Sequence, residues 1–291
     1  MSFHYLFLTG WITNMVESMD FLRKPMIKEN KVKSALRSGK TIIGSEASRF
    51  GVADLVHIFA QAGFDFIFID MEHTTFNLET VAQMIQVSRL LDITPIVRVP
   101  DAEYHLVARV IDVGAQGVMI PRMNTPKQVE EIVSWLRYPP NGIRGYAQTS
   151  HQTNYKALPT EDFIAAMERE TLLLIQIERK VALDHLDEIL SISGVDVAVL
   201  GIMDLSVDLG IPGQINHPLM IESIERVISV SQRYGISSGM IAGDLEFVLD
   251  WGLQGIRFLS YATGERILLD AVSTAATNSC KGFRMSFEGQ A

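Results

Sequence analysis

The feature that most constrains the fold of this chain is a regular alternation of short apolar runs with amphipathic stretches. The runs are nearly continuous in Ile, Val, Leu and Phe, which is typical of strands buried on both faces of a parallel sheet. They predict eight strands, at residues 41–46, 64–70, 94–99, 117–120, 172–178, 195–201, 237–242 and 255–260.

The stretches between these runs have apolar residues at helical spacing. The clearest covers residues 78–91, where Leu78, Val81 and Ile85 fall on one side of a helix. The other predicted helices lie at residues 52–62, 105–113, 126–136, 183–192, 218–234, 245–251 and 264–276, with a shorter one near 161–169. Eight strand–helix units within 291 residues predict a single α/β domain closed into a (β/α)₈ TIM barrel, because this count and length favour a barrel over a doubly wound sheet.

The barrel domain is assigned to residues 31–276, between an N-terminal extension at residues 1–30 and a polar C-terminal tail at residues 277–291. The first part of the extension, from Met1 to about Met19, is interpreted as an accessory helix or as an upstream translation start. Its apolar run at residues 3–11 is too short to span a bilayer.

Composition narrows the class of partner. With 47% apolar and 20% charged residues the chain is globular, and its formal net charge of −9 disfavours a nucleic-acid backbone as partner. A single cysteine excludes a disulfide within the chain and fits a reducing compartment. We therefore expect a cytoplasmic protein that binds a small molecule and neither nucleic acid nor a membrane.

Polar residues collect where the predicted strands end. Asp70, Glu72 and His73 follow the second strand, and Arg98 ends the third. The later strands lead to Pro121 and Arg122, to Gln176 and Glu178, and to Asp204. Because the carboxyl ends of barrel strands form the active face, this distribution predicts an active site built from several strands.

Two of these residues are candidate metal ligands. Glu178 closes a strand that is expected to be fully buried, where a carboxylate needs a cation, an arginine or solvent. Glu178 could instead pair with Arg179 or Arg98, and Asp204 could instead cap a short helix. Taken together, the two carboxylates favour a site for Mg²⁺ or Mn²⁺, which prefer oxygen ligands.

The same segments resemble the HpcH/HpaI aldolase family, the class II pyruvate aldolases. The resemblance rests on IDMEH at 69–73, VRVP at 97–100, RYPPNGIRG at 137–145, QIE at 176–178 and DLS at 204–206. It extends from Lys31 to about Ala276, nearly the whole chain outside the extension.

The resemblance implies a role for each matching residue. Glu178 and Asp204 would be the metal ligands, for Mg²⁺ or Mn²⁺, with Co²⁺ as a third candidate. Arg98 would bind the keto oxygen and stabilise an enolate. His73, held by Asp70, would be the acid–base residue. The resemblance also implies a homo-oligomer, namely a hexamer built from dimers that exchange the last helix.

Substrate contacts are implied for three residues besides Arg98, namely Gln176, Met203 and Asp204. The chain departs from the family at Ile202 and Met203, where relatives usually have proline and a small residue. The change affects the segment that would hold the carboxylate of the 2-oxo acid substrate, so it bears on substrate fit.

The predicted function is reversible retro-aldol cleavage of a 4-hydroxy-2-oxo acid, which releases pyruvate or a close 2-oxo acid and an aldehyde. No predicted strand ends in a lysine, which disfavours Schiff-base chemistry. Two alternatives remain open: another lyase or synthase on the same scaffold, acting on citrate-like or CoA-thioester substrates, and a non-catalytic protein that binds a 2-oxo acid.

Overall fold

The eight predicted strands are present and hydrogen-bond in sequence order into one closed parallel barrel. The structure is a computed structural model and describes residues 27–148 and 151–288, with side chains as far as residue 279. The strands are β1 (Ile42–Ala47), β2 (Phe66–Asp70), β3 (Thr94–Arg98), β4 (Gly117–Ile120), β5 (Leu172–Ile177), β6 (Val197–Gly201), β7 (Ser237–Ala242) and β8 (Phe258–Thr263). The predicted TIM barrel is therefore confirmed.

Helices connect the strands around the outside of the barrel. Those before and between the first five strands are α1 (Lys31–Arg37), α2 (Ala53–Ala62), α3 (Leu78–Leu91), α4 (Tyr104–Asp112), α5 (Pro126–Leu136) and α6 (Thr160–Glu170). The remaining ones are α7 (Lys180–Asp184), α8 (Leu186–Leu190), α9 (Ile202–Asp208), α10 (Pro218–Arg233), α11 (Leu245–Gln254) and α12 (Gly264–Glu288). A single 3₁₀ turn, His151–Thr153, lies in the long connection before α6.

Alternation along each strand divides the side chains between two apolar clusters. One cluster fills the barrel and includes Phe66, Phe68 and Phe258, and the other lies between the strands and the surrounding helices. The rings of Phe66 and Phe258 stack at 4.3 Å. Gly44 is needed beside them, because a Cβ at this position would lie only 2.5 Å from the ring of Phe66.

Helix α1 closes the amino-terminal end of the barrel. Its Val32 and Leu36 belong to the interior cluster, and Lys33 forms an ion pair of 2.9 Å with Asp196. Asn30 caps this helix and also donates to the backbone oxygens of Gln116 and Glu170. With this end plugged, a small molecule has access to the barrel interior only from the carboxyl ends of the strands.

The predicted boundaries are accurate to about two residues except near the C-terminus and at the predicted helix 183–192. There the structure has two short helices, α7 (Lys180–Asp184) and α8 (Leu186–Leu190), in place of one. Strand β8 begins at Phe258 instead of residue 255, because α11 continues to Gln254 and Gly255 ends it with a positive φ of 124°. The last helix continues to Glu288 rather than ending at 276, so most of the predicted polar tail is helical. Its polar composition includes no proline, and polar residues do not stop an exposed helix. The predicted accessory helix at the N-terminus lies outside the described residues.

Candidate active site

The mouth of the barrel gathers the polar residues that the sequence placed at strand ends. Asp70, Arg98, Gln176 and Glu178 are all buried there, although each is charged or strongly polar. Asp70 and Arg98 lie side by side in the register of β2 and β3. Buried polar groups in this number require mutual pairing, and the pairing pattern defines the site.

Arg98 is the centre of this network. Its Nε donates to Asp70 Oδ1 at 2.8 Å and lies 3.3 Å from Glu72 Oε2, while Nη1 makes a longer contact of 3.5 Å with Gln176. The guanidinium lies over the ring of Phe68, 5.2 Å from its centroid. Burial alone would lower the pKa of Arg98, but the surrounding carboxylates outweigh burial and raise it, so the group stays cationic.

Asp70 holds both Arg98 and the turn that follows β2. Its carboxylate accepts hydrogen bonds from the backbone amides of Glu72 at 2.9 Å and of His73 at 3.2 Å. Burial acts to raise the pKa of Asp70, but the hydrogen bond and charge of Arg98, together with these amides, lower it overall. Asp70 is therefore a fixed anion beneath the guanidinium.

Glu178 is a buried carboxylate of a different kind. Oε1 accepts a hydrogen bond from the backbone amide of Arg122 at 2.6 Å, and Oε2 accepts one from Gln176 Nε2 at 2.6 Å. No side-chain nitrogen of an arginine, lysine or histidine in the described chain lies within 4 Å of this carboxylate, so the ion pair with Arg179 or Arg98 considered from sequence is not formed. Burial, with the charges of Asp204 and Glu72 nearby, raises the pKa of Glu178 to about 7.

Asp204 approaches Glu178 from the next strand connection. It lies in the first turn of α9, which has Gly201 as its N-cap, so the alternative in which Asp204 caps this helix is wrong. Asp204 is exposed at the mouth, and its charge acts on Glu178. Glycine is required at position 201, because a Cβ there would lie 2.6 Å from Gln176 Nε2 and 2.8 Å from Glu178 Oε2.

His73 lies at the rim of the mouth, with 62% of its side chain exposed. The carboxylate nearest its ring is Glu72, at 3.6 Å, whereas Asp70 contacts only the backbone of His73. The expectation that Asp70 holds His73 thus applies to the backbone, and the imidazole faces Glu72 and solvent. Burial is the largest influence on Glu72 and raises its pKa against the opposing charge of Arg98.

Two contributors were not assigned a role from the sequence. Arg122 has a positive φ of 56°, and this left-handed backbone directs its amide at Glu178 while its guanidinium pairs with Glu72 at 2.8 Å. Glu46, at the end of β1, is buried on the mouth side of the barrel. Glu46 is the charged residue that ends the first predicted strand, and this position could have indicated that it lies at the mouth. Met203, a predicted substrate contact, is 60% exposed at the start of α9.

The donor set at Glu178 and Asp204 fits a hard divalent cation. In the described chain neither carboxylate has a cationic side chain within 4 Å, and both supply oxygen ligands. Burial is the main cause that raises the pKa of Glu178, and the charge of Asp204 adds to it. Among the side chains of residues 27–148 and 151–279, no three His, Cys, Asp or Glu groups converge as a ligand set. A cation held here would therefore leave most coordination positions to substrate and water.

A closed parallel barrel with acidic and basic side chains gathered at its carboxyl end defines a TIM-barrel enzyme that acts on a small polar molecule. The model of the HpcH/HpaI aldolase/citrate lyase family matches residues 51–256, and the chain belongs to this family.

Relatives and solved structures agree with this assignment. The chain is 34% identical over 229 residues to a hydroxypyruvate/pyruvate aldolase of Roseovarius nubinhibens, covering 77% of this chain and 87% of that protein. It is 32% identical to a 2-keto-3-deoxy-L-rhamnonate aldolase of Escherichia coli, covering 84% and 90%. The HpcH/HpaI aldolase from Desulfitobacterium hafniense superposes with a TM-score of 0.81 at 29% identity, covering 84% of this chain and 95% of that one.

These relatives identify the chain as a carbon–carbon lyase of the aldolase type. In the part of the chain that the structure describes, no helix is both long enough and apolar enough to cross a membrane.

Proposed function

We propose that this chain is a class II aldolase that uses a divalent cation to cleave a 4-hydroxy-2-oxo acid reversibly into pyruvate, or a close 2-oxo acid, and an aldehyde. The observation that carries the proposal is the buried, cation-free carboxylate of Glu178 beside Asp204, with the guanidinium of Arg98 in the same mouth. Relatives whose names specify pyruvate, hydroxypyruvate and a 2-keto-3-deoxy sugar acid support the substrate class.

Glu178 and Asp204 are the residues that would hold the cation. Mg²⁺, Mn²⁺ or Co²⁺ bound there would act as a Lewis acid toward the carboxylate and keto oxygen of a 2-oxo acid. Gln176 fixes the second carboxylate oxygen of Glu178 and would direct its remaining hydrogen-bonding capacity at the substrate. Gly201 leaves the space that both side chains occupy.

Arg98 would stabilise the charge that develops as the C3–C4 bond breaks. The electron pair of that bond moves toward the keto oxygen, and the fixed, buried guanidinium stabilises the resulting enolate oxygen. Asp70 and Glu72 hold the guanidinium in place before the reaction begins, so little reorganisation is needed. In this arrangement Asp70 is a positioning residue, and it acts through Arg98.

His73 would accept the proton of the 4-hydroxyl, directly or through a water molecule. Its exposed ring can exchange protons with solvent, and Glu72 lies 3.6 Å from the ring nitrogen. In the direction of aldol addition the same imidazole would return the proton to the new hydroxyl oxygen.

A Schiff-base mechanism has no support in the described chain. Lys33 is the only buried lysine among the described residues, and it lies at the plugged end of the barrel in an ion pair with Asp196. A lysine nucleophile would have to reach the keto carbon at the open mouth.

The proposal is tested by a retro-aldol assay on chelator-treated protein. Release of pyruvate from 4-hydroxy-2-oxo acids should require added Mg²⁺, Mn²⁺ or Co²⁺, and Glu178→Gln and Asp204→Asn should each lose both activity and cation binding measured by calorimetry. Glu222→Gln, an exposed glutamate on α10, is the matched control. Full turnover by chelator-treated Glu178→Gln would contradict the assignment of the metal ligands.

A further inference from the structure

Glu46 is a buried acid in the mouth that the proposed reaction does not use. In β1, Ile42 belongs to the cluster inside the barrel, whereas Ala47 belongs to the cluster outside it. Since side chains alternate along a strand, Glu46 points inward, level with its register partner Phe68. Arg98 lies over that same ring, so Glu46 and Arg98 share the floor of the mouth.

Arg98 does not neutralise Glu46. The guanidinium is engaged by Asp70 at 2.8 Å and Glu72 at 3.3 Å, and no cationic group of the described chain lies within 4 Å of Glu46. Glu46 is nevertheless only 8% exposed. A buried carboxyl group without an ion pair is costly, and the charge of Arg98 and the side-chain hydrogen bond with Ser48 only partly offset the burial of Glu46.

The neighbouring strand offers a buried polar group without a hydrogen-bond partner in the described chain. Ser260 on β8 is fully buried, and its hydroxyl has no hydrogen-bond partner in the described chain. It points inward like Phe258, and it lies beside Gly44, one layer deeper than Glu46. Between these positions β8 has a bulge, with Ala262 at a positive φ of 49°, so that Thr263 instead of residue 262 pairs with Glu46. Bulges of this kind redirect side chains beside active sites.

The barrel places these groups across the mouth from the proposed cation ligands. Glu178 and Asp204 follow β5 and β6, whereas Glu46 and Ser260 lie on β1 and β8, on the other side of the closed ring. A 2-oxo acid held by its carboxylate and keto oxygen near Glu178 and Arg98 would extend its remaining carbon chain toward β1 and β8. That remaining chain becomes the aldehyde product.

We infer that Glu46 and Ser260 form a subsite that binds hydroxyl groups on the aldehyde portion of the substrate. The inference rests on the proposed function and specifies its substrate class: hydroxylated, uncharged aldehydes in preference to carboxylated ones. Glu46 accepts a hydrogen bond from a hydroxyl group of the ligand, and Ser260 supplies a donor or acceptor below it. Glu265, whose Oε1 accepts from Ser48 at 2.6 Å, and Asp70 add negative charge on the same side, which repels a carboxylate.

The test compares aldehydes in the direction of addition to pyruvate. The probes are glyceraldehyde, which has hydroxyl groups, propanal, which has none, and glyoxylate, which has a carboxylate. For the wild type, kcat/KM should be highest with glyceraldehyde and lowest with glyoxylate. Glu46→Leu should reduce the preference for glyceraldehyde over propanal by about 10- to 100-fold, the size of one hydrogen bond to a charged group. Glu46→Gln keeps the shape but removes the charge, and should selectively raise kcat/KM for glyoxylate. Glu222→Gln is the control.

Two results would contradict the inference, and they differ from failure of the proposed function. Wild-type preference ratios in both Glu46 variants would overturn the subsite, as would a wild type that prefers glyoxylate. Exchange of pyruvate methyl protons with deuterated water reports on the proposed function without any aldehyde. If the wild type shows no cation-dependent exchange, both the proposed function and the subsite are contradicted. Should Glu46→Leu not fold, Glu46→Gln and Ser260→Ala provide the same ratios.

Discussion

Among three buried carboxyl groups in the mouth, one has a lowered pKa and two have a raised pKa, because their partners differ. Asp70, Glu46 and Glu178 are all largely shielded from water, which favours the protonated acid. Arg98 reverses this effect only at Asp70, with which it forms a close ion pair. Glu46 and Glu178 lack such a pair, and burial raises the pKa of each to about 7. The ion pair with Arg98 thus keeps Asp70 anionic, whereas Glu46 and Glu178 lack an ion pair and can bind a cation or another ligand.

Replacement of Glu46 should change how stability depends on pH. Burial is the main cause that raises its pKa from 4.5 to about 7. Below pH 4.5 the carboxyl group is protonated in both the folded and the unfolded chain. As the pH rises from 4.5 to 7, the unfolded chain loses this proton while the folded chain retains it, so the free energy of unfolding falls by about 3 kcal/mol. Glu46→Gln should lack this component.

Urea unfolding of ligand-free protein between pH 5 and pH 8 provides the measurement. The wild type should lose stability relative to Glu46→Gln as the pH rises through this range. Parallel stability profiles for the two proteins would show that Glu46 has an ordinary pKa in the folded state.

At the scale of single elements, the end of β6 controls the position of the proposed cation ligand. Gly201 ends this strand and caps α9, and it packs against Gln176 and Glu178 on the neighbouring β5. Strand spacing leaves no room for any side chain at this point. The strand end, the short helix and Glu178 therefore form one unit.

Gly201→Ala should displace Glu178 and weaken binding of a divalent cation. The added methyl group would lie under 3 Å from the carboxylate and the carboxamide, so both side chains must move. Loss of support around a metal ligand typically reduces affinity by about 10- to 100-fold. Titration calorimetry with Mn²⁺ gives the comparison. Gly243→Ala is the matched control, because a Cβ there meets nothing within 4 Å and its φ lies outside the left-handed region. Equal affinities in the two variants would contradict the account of Gly201.

The strands of the barrel explain which parts of the site can be predicted from sequence. Parallel topology alone brings the carboxyl ends of strands together, so the location of Arg98, Gln176 and Glu178 at one mouth was predictable. The hydrogen-bond and ion-pair partners of these residues could not be predicted. The Nε of Arg98 is shared between Asp70 and Glu72, because the register of β2 and β3 places Asp70 and the turn after it beside Arg98. Arg122 acts on Glu178 through its backbone, in a left-handed conformation that its residue type does not signal.

The exact ends of strands and helices also could not be predicted from sequence patterns. The start of β8 depended on where α11 ends, and both the helix and the strand are apolar there, so periodicity does not separate them. The inward direction of Glu46 depended on the register of β1, since a shift of one residue would turn it outward.

At the scale of the whole molecule, α12 has an apolar face that the single chain does not bury. Leu268, Leu269 and Val272 are 52%, 60% and 55% exposed. The resemblance to the HpcH/HpaI family led us to expect exchange of this helix between subunits, and this expectation stays a prediction. Exposed leucine and valine grouped on one helix are typical of an interface.

Charge placed on that face should dissociate the assembly. Leu268→Glu with Val272→Glu puts two carboxylates one turn apart on the exposed side of α12, and burying them in an interface would be unfavourable. Sedimentation should show the wild type as an oligomer and the double variant as a single chain. Leu249→Glu, at a 48% exposed position on α11, is the control and should keep the wild-type mass. A monomeric wild type would contradict the prediction.

The central claim is that the mouth forms an enolate of a 2-oxo acid with a cation at Glu178 and Asp204 and a guanidinium at Arg98. Exchange of pyruvate methyl protons with deuterated water, followed by mass spectrometry, tests this step without any aldehyde. We expect exchange by the wild type with Mg²⁺ or Mn²⁺, its loss with a chelator, and a decrease of about 10²- to 10³-fold in Arg98→Ala.

Arg98→Lys should also exchange slowly, because it loses the planar guanidinium that Asp70 and Glu72 hold. Arg266→Lys, at an exposed position on α12, should match the wild type. Absence of exchange by the wild type with every divalent cation would contradict the account.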